Sequence, residues 1–141
     1  MSYKFIEDVS IADVAFEAEA KTLEELLIEG AKATFEVMVK LEEVKPKEKR
    51  EIAIEAESPE KLFFEWIGEL IYLKDADYMV FSKFDVKIKK GQKYVLQGTA
   101  WGEGIDPEKH TLNVDVKAIT YHHFSVTEEK GTWKAFVILD I

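Results

Sequence analysis

From Ala12 to Ala20 the chain reads "ADVAFEAEA", with apolar and polar positions in near-strict alternation. A period of two places alternate side chains on opposite faces, so this stretch predicts a half-buried strand, preceded by a shorter one near Tyr3 to Ile6. The spacing then changes. In "TLEELLIEGAKATFEVMV", Leu23, Leu26, Leu27, Ala31, Phe35 and Met38 recur at helical intervals, and Thr22 with Glu25 makes a capping-box pattern ahead of them. "KLEEVKPKEKR" predicts a charged surface loop, and "EIAIEAE" alternates again as a strand. A second helix starts at Ser58 as N-cap with Pro59 in the first helical position, and its apolar face holds Leu62, Phe63, Trp66, Ile67, Leu70 and Ile71.

Beyond Tyr78 the pattern predicts β-structure throughout. "MVFSKFDVKIKK" and "KYVLQGTAWG" form one hairpin across Gly91-Gln92, and "GEGIDPEKH" is a loop. "LNVDVKAITYHHFSV" and "WKAFVILDI" form a second hairpin across "TEEKG". No repeat, linker or low-complexity tract interrupts the 141 residues, which fit one compact domain (residues 1–141) with a real core. The expected fold is α+β, two helices packed on a mostly antiparallel sheet.

Composition narrows the function classes. The absence of cysteine removes disulfides, thiolate metal sites and cysteine nucleophiles. Twenty-eight acidic against nineteen basic residues leave a net charge of −9, a field that repels phosphate backbones and disfavours direct nucleic-acid binding over a broad face. No apolar run is long enough to span a bilayer and "MSYKFIEDVS" lacks a signal-peptide pattern, so no membrane association and a cytoplasmic location are expected. Oligomeric state is left open.

Candidate chemistry collects in three places: "EDVSIADV" near the start, "DVKAITYHH", and the closing "LDI". Asp13 and Asp140 either sit solvated at sheet ends or belong to a hard-cation site. Carboxylate and main-chain oxygens suit calcium, magnesium or manganese. His122 and His123 are neighbours in a predicted strand, where regular alternation sends them to opposite faces and prevents both from reaching one ion. Lys117 reads as a solvent-facing strand lysine. "GTAWGEG" lies between strands and opens no helix, so turn chemistry accounts for its glycines. No serine-histidine-aspartate arrangement or nucleophile elbow is present.

Taken together and in order, "ADV", "TLEELLIEGAKATFEVMV", "LFFEWIGELIYL", "FSKFDVKI", "GTAWGEGIDPEKH", "VKAITYHHF" and "VILDI" resemble the archease family over nearly the whole chain. The resemblance implies a non-enzymatic accessory protein of an RtcB-type tRNA-splicing RNA ligase. Such a protein promotes ligase guanylylation and multiple turnover, and its involvement with tRNA is indirect. It further implies a divalent cation, calcium first and otherwise magnesium or manganese, held by Asp13 and Asp140 with oxygen from Ile141. Lys117 would be a functional residue beside that site, and Asp8 a further acidic member. The family's N-terminal motif carries a histidine that "EDVSIAD" lacks, and Asp8 stands one residue further from Asp13 than the motif has it. Two rival readings are a general protein-binding module or chaperone with a structural ion, and, after it, a small metal-dependent hydrolase using His122 or His123 as base.

Overall fold

The computed structural model describes residues 1–6 and 12–141. Its elements run β1 (Ser2–Ile6), β2 (Asp13–Ala20), α1 (Leu23–Met38), a short 3-10 turn (Leu41–Glu43), β3 (Glu48–Ala56), α2 (Pro59–Asp77), β4 (Met79–Lys90), β5 (Tyr94–Gly104), β6 (Ala118–Glu129) and β7 (Thr132–Asp140). The strands form two antiparallel sheets rather than one. One has the order β1-β2-β7-β6 and the other β3-β5-β4. Both helices bridge the sheets: α1 packs on β2 and β4, and α2 on β6 and β3.

Both helix starts follow the predicted capping chemistry. The Thr22 side chain accepts the Glu25 N–H, and the Ser58 side chain accepts the Lys61 N–H, each satisfying a donor left free by the first helical turn. Every residue of the two predicted apolar stripes is buried, and they join one contiguous core with Phe16, Phe81 and Leu96. Trp66 ties the layers together. Its indole N–H donates to the Leu27 carbonyl at 3.0 Å, while its ring lies so close to Gly98 that a side chain there would collide with it.

β6 and β7 are joined by a two-residue turn, Lys130–Gly131, and both residues have positive φ (53° and 78°). That is the requirement of a type I′ hairpin turn, and Gly131 meets it without Cβ strain. The strand boundaries differ from the expected ones. Glu48–Arg50 open β3 instead of closing the charged loop, Glu103 and Gly104 extend β5, Thr127–Glu129 belong to β6 rather than to the turn, and residues 112–117 are not part of a strand. The segment 105–117 instead crosses the end of the molecule in irregular form. It is held by Ile105 N–H to Tyr78 O, a bridge between Val39 and Leu112, and Asn113 N–H to Met38 O.

Candidate functional site

β2 and β7 are the two inner strands of the four-stranded sheet, and their pairing brings residue 13 directly opposite residue 140. Beyond that pair, the Ile141 N–H donates to the Ala12 carbonyl at 3.0 Å. The Ala12–Ile141 step is therefore the hydrogen-bonded one, which makes Asp13–Asp140 a non-hydrogen-bonded pair. In such pairs the side chains share a face and stand closest, with Cβ atoms about 4.5 Å apart. The two carboxylates lie at the end of the sheet on its inner strands, not along its lateral edge. Both residues are half-buried, and neither side chain has a hydrogen-bond or ion-pair partner among the described residues.

On the other side of β7, Ala118 of β6 is the register partner of Asp140, and the Lys117 N–H donates to the Asp140 carbonyl at 2.8 Å. Lys117 itself is exposed. The fold thus gathers Asp13, Asp140, Ile141 and Lys117 at one end of three adjacent strands. Asp8 lies outside the described residues.

Two half-buried, unpaired carboxylates on one face repel each other, and a hard cation with oxygen ligands would relieve that repulsion. By donor chemistry the pair fits such an ion, with the Ile141 main-chain oxygen next in line. The side chains alone are a sparse set: no group of three or more His, Asp or Glu side chains converges on one point among the described residues. A groove of about 480 Å³ on the outer face of the same sheet, between Lys4, Glu17 and Lys134, contains none of the four residues.

What places Lys117 is a lysine that the helical pattern passed over. Lys74, in the last turn of α2, is 3% exposed. Its ammonium donates to Asp115 Oδ1 and, at 2.8 Å, to the Val116 carbonyl, and it lies 2.8 Å from Asp75 Oδ1. Two of its three N–H donors are hydrogen-bonded in this way, and Asp75 adds an ion pair. Val116 is fully buried. The Lys74 clamp on one side and the Asp140 carbonyl on the other fix the backbone that carries Lys117.

The stretch quoted above as a turn also hides chemistry. Glu103, buried at the end of β5, accepts the Lys45 N–H and the His110 ring N–H on Oε2, and the Lys109 ammonium on Oε1. His110 Nδ1 accepts the Asp106 N–H at 3.0 Å, which assigns the ring proton to Nε2 and makes it the donor to Glu103. Burial alone pushes the Glu103 carboxyl up. The Lys109, Lys45 and His110 hydrogen bonds outweigh that and hold it at about 2, well below the usual carboxylate range. This cluster folds the 105–110 loop against residues 45–47 and is a structural device. In the last turn of α1, Glu36 accepts the Tyr3 hydroxyl, and burial together with that carboxylate pushes the phenol above its ordinary range.

The histidine pair departs from the alternation argument. The β6–β7 register shifts between Thr120 and Ser125, so residues 121–124 bulge out of the ladder, and His123 takes a left-handed φ of 53°. Opposite faces no longer apply: the His122 and His123 rings lie side by side. Both are exposed, as expected of surface histidines.

The molecule is an α+β fold of two antiparallel sheets, with a carboxylate pair at the joined ends of its first long strand and its last strand. Its family follows from comparison. Residues 3–141 match the model of the archease protein family, and the chain belongs to that family. It is 40% identical over 131 residues to the protein archease of Methanopyrus kandleri, covering 92% of this chain and 94% of that one. The solution structure of Protein 1598 from Methanobacterium thermoautotrophicum superposes with a TM-score of 0.87 at 40% identity, covering 99% and 98% of the two chains. An archease from Thermotoga maritima, described as a possible chaperone, shares the fold with a TM-score of 0.61 at 22% identity over 94% and 93%. No helix among the described residues is long and apolar enough to cross a membrane.

Proposed function

We propose that this chain is an accessory factor of an RtcB-type RNA ligase in the cytoplasm, promoting transfer of GMP to the ligase and its multiple turnover. The observation that carries the reading is the register pairing of Asp13 with Asp140, with Lys117 bonded to the same strand, in a member of the archease family. Asp13, Asp140 and an Ile141 oxygen would hold a divalent cation, calcium, magnesium or manganese. Asp8 is a further candidate from the sequence. A cation bound there supplies positive charge toward the phosphate oxygens of a nucleotide. The carboxylates orient and neutralise, and they need not move. Lys117, on a flexible stem, acts as a mobile point charge toward phosphate or toward an acidic group of the ligase. The acidic field of the chain suits contact with the ligase protein more than with the RNA backbone.

The test is transfer of labelled GMP onto the ligase under multiple-turnover conditions, with this chain and its Asp13→Ala and Asp140→Ala variants. Stimulation by the wild-type chain that is lost in both variants is the expected result. Stimulation by both variants at the wild-type rate would sink the mechanism. Protection of unrelated clients from aggregation, with no effect on GMP transfer, would favour a general protein-binding module instead.

A further inference from the structure

The β6 bulge carries two histidines that the carboxylate site does not use. Tyr121 stacks on Phe64 of α2, with ring centres 3.8 Å apart and planes 5° apart. Phe124 is buried against Phe63 and Phe64. The two ends of the bulge are therefore anchored on the helix, and His122 and His123 form its exposed tip. The His122 N–H is held by the Thr120 hydroxyl at 3.3 Å, and His123 sits in the left-handed region, which a β-carbon disfavours by about 1 kcal/mol. The anchors hold the tip in a conformation that regular pairing would not give, and its effect is to set the rings side by side.

We infer that this tip is a two-imidazole site for a divalent transition ion, independent of the ligase reading. The ring centres are 4.3 Å apart and the planes are tilted by 55°. With a metal–nitrogen bond of about 2.0–2.1 Å, an ion bonded to one nitrogen of each ring lies about 3.2 Å from each ring centre, and centres 4.3 Å apart leave room for it. Imidazole donors suit the later first-row ions, and the affinity order of divalent metals makes copper(II) the tightest-binding probe of such a pair. Two protein ligands leave the remaining positions to water or to a donor from a bound partner. The chain's third histidine, His110, is buried with both ring nitrogens engaged, so it offers no competing imidazole.

The experiment is a copper(II) titration of the full chain in a non-coordinating buffer, read by calorimetry and by electron paramagnetic resonance. One ion per chain with nitrogen hyperfine splitting is expected. His122→Ala and His123→Asn should each weaken binding at least tenfold, asparagine being chosen because it tolerates the left-handed backbone. A large excess of calcium should leave the copper in place. Circular dichroism on both variants confirms that the fold persists. Binding by either variant within twofold of wild type, or displacement of copper by calcium, overturns the proposal.

Discussion

Replacing Lys74 with methionine tests whether the clamp on the 115–117 segment positions Lys117. The ammonium serves three acceptors, and they differ in what they lose. Asp75 and Asp115 are 60% and 67% exposed at the side chain, so water replaces their contacts with the ammonium at little cost. The Val116 carbonyl belongs to a fully buried residue and loses its donor, which costs about 1–3 kcal/mol. Methionine fills most of the space of the lysine stem, and apolar replacement of a buried charge recovers part of its desolvation cost, so the global loss should be about 1–2 kcal/mol. The local effect is the informative one.

The Lys117 amide donates to Asp140 O, and its exchange with deuterium reports opening of this segment. A loss of about 1.4–2 kcal/mol in local closure predicts exchange faster by about 10- to 30-fold. Amides paired between β4 and β5 should accelerate only by the global change measured in urea. Asp115→Asn keeps the Val116 bond and should change the Lys117 amide by no more than about threefold. A Lys117 amide that tracks the β4–β5 amides in Lys74→Met would refute local positioning and leave Lys74 a general stabiliser. In the ligase reading, GMP-transfer stimulation should fall with Lys117 protection and not with global stability.

Two further outcomes follow from the fold. Glu103→Gln should destabilise the chain by about 1–2 kcal/mol at pH 7, a figure discounted because Lys109 and Lys47 reach into solvent. The carboxyl is held at about 2 against an ordinary 4.5, so its contribution is complete above about pH 4.5 and drains away as the pH falls toward 2. Urea midpoints of wild type and variant should converge over that window, and a constant difference through it would contradict the assignment. Gly102→Ala should cost at least about 3 kcal/mol, read as a lost or sharply lowered thermal transition, because the added carbon would sit 1.9 Å from the Val80 carbonyl. Gly102 faces the register shift between Phe81 and Lys83, where the opposite backbone presses in, and near-native melting would show that the strands can part without penalty.

Local rules made the helices legible. Thr22 and Ser58 announce caps, the stripes keep one period to the end, and all of their residues are buried. The carboxylate site was legible as residue types, yet the pairing of Asp13 with Asp140 is non-local and no local pattern encodes a register. Strand alternation failed at His122 and His123 because it assumes an unbroken ladder. Tyr121 and Phe124 both dock on Phe64, and that aromatic packing offsets the ladder pairing interrupted between Thr120 and Ser125. A run of aromatics and histidines in mid-strand was the available signal. Lys74 was passed over for a related reason: it reads as a polar residue near the end of a helix and is buried only because residues 115–116 cross above it. Glu103 and His110 form their cluster through an irregular loop whose path periodicity cannot trace.

The division between fixed and mobile groups has a mechanistic consequence. Asp140 is paired on both sides, with Asp13 across β2–β7 and with Ala118 across β6–β7, so its backbone is the most constrained in the site. The carboxylates therefore hang on short stems from a fixed backbone, and only their own two side-chain torsions are left to be ordered when they engage a charge. Lys117 has a fixed backbone and an exposed, flexible side chain. A short-stemmed anionic pair beside a long-stemmed mobile cation can meet a surface that carries both signs, as a nucleotide-loaded protein would present, and would bind a uniformly anionic RNA backbone poorly. That asymmetry, more than net charge alone, directs the proposed contact toward the ligase. It also predicts that Lys117→Arg should retain part of the stimulation of GMP transfer, since a mobile positive charge survives, whereas Asp140→Glu, which pushes the carboxylate about one carbon further out from a fixed strand, should lose most of it. Stimulation lost in Lys117→Arg and kept in Asp140→Glu would reverse the assignment of which group must be fixed.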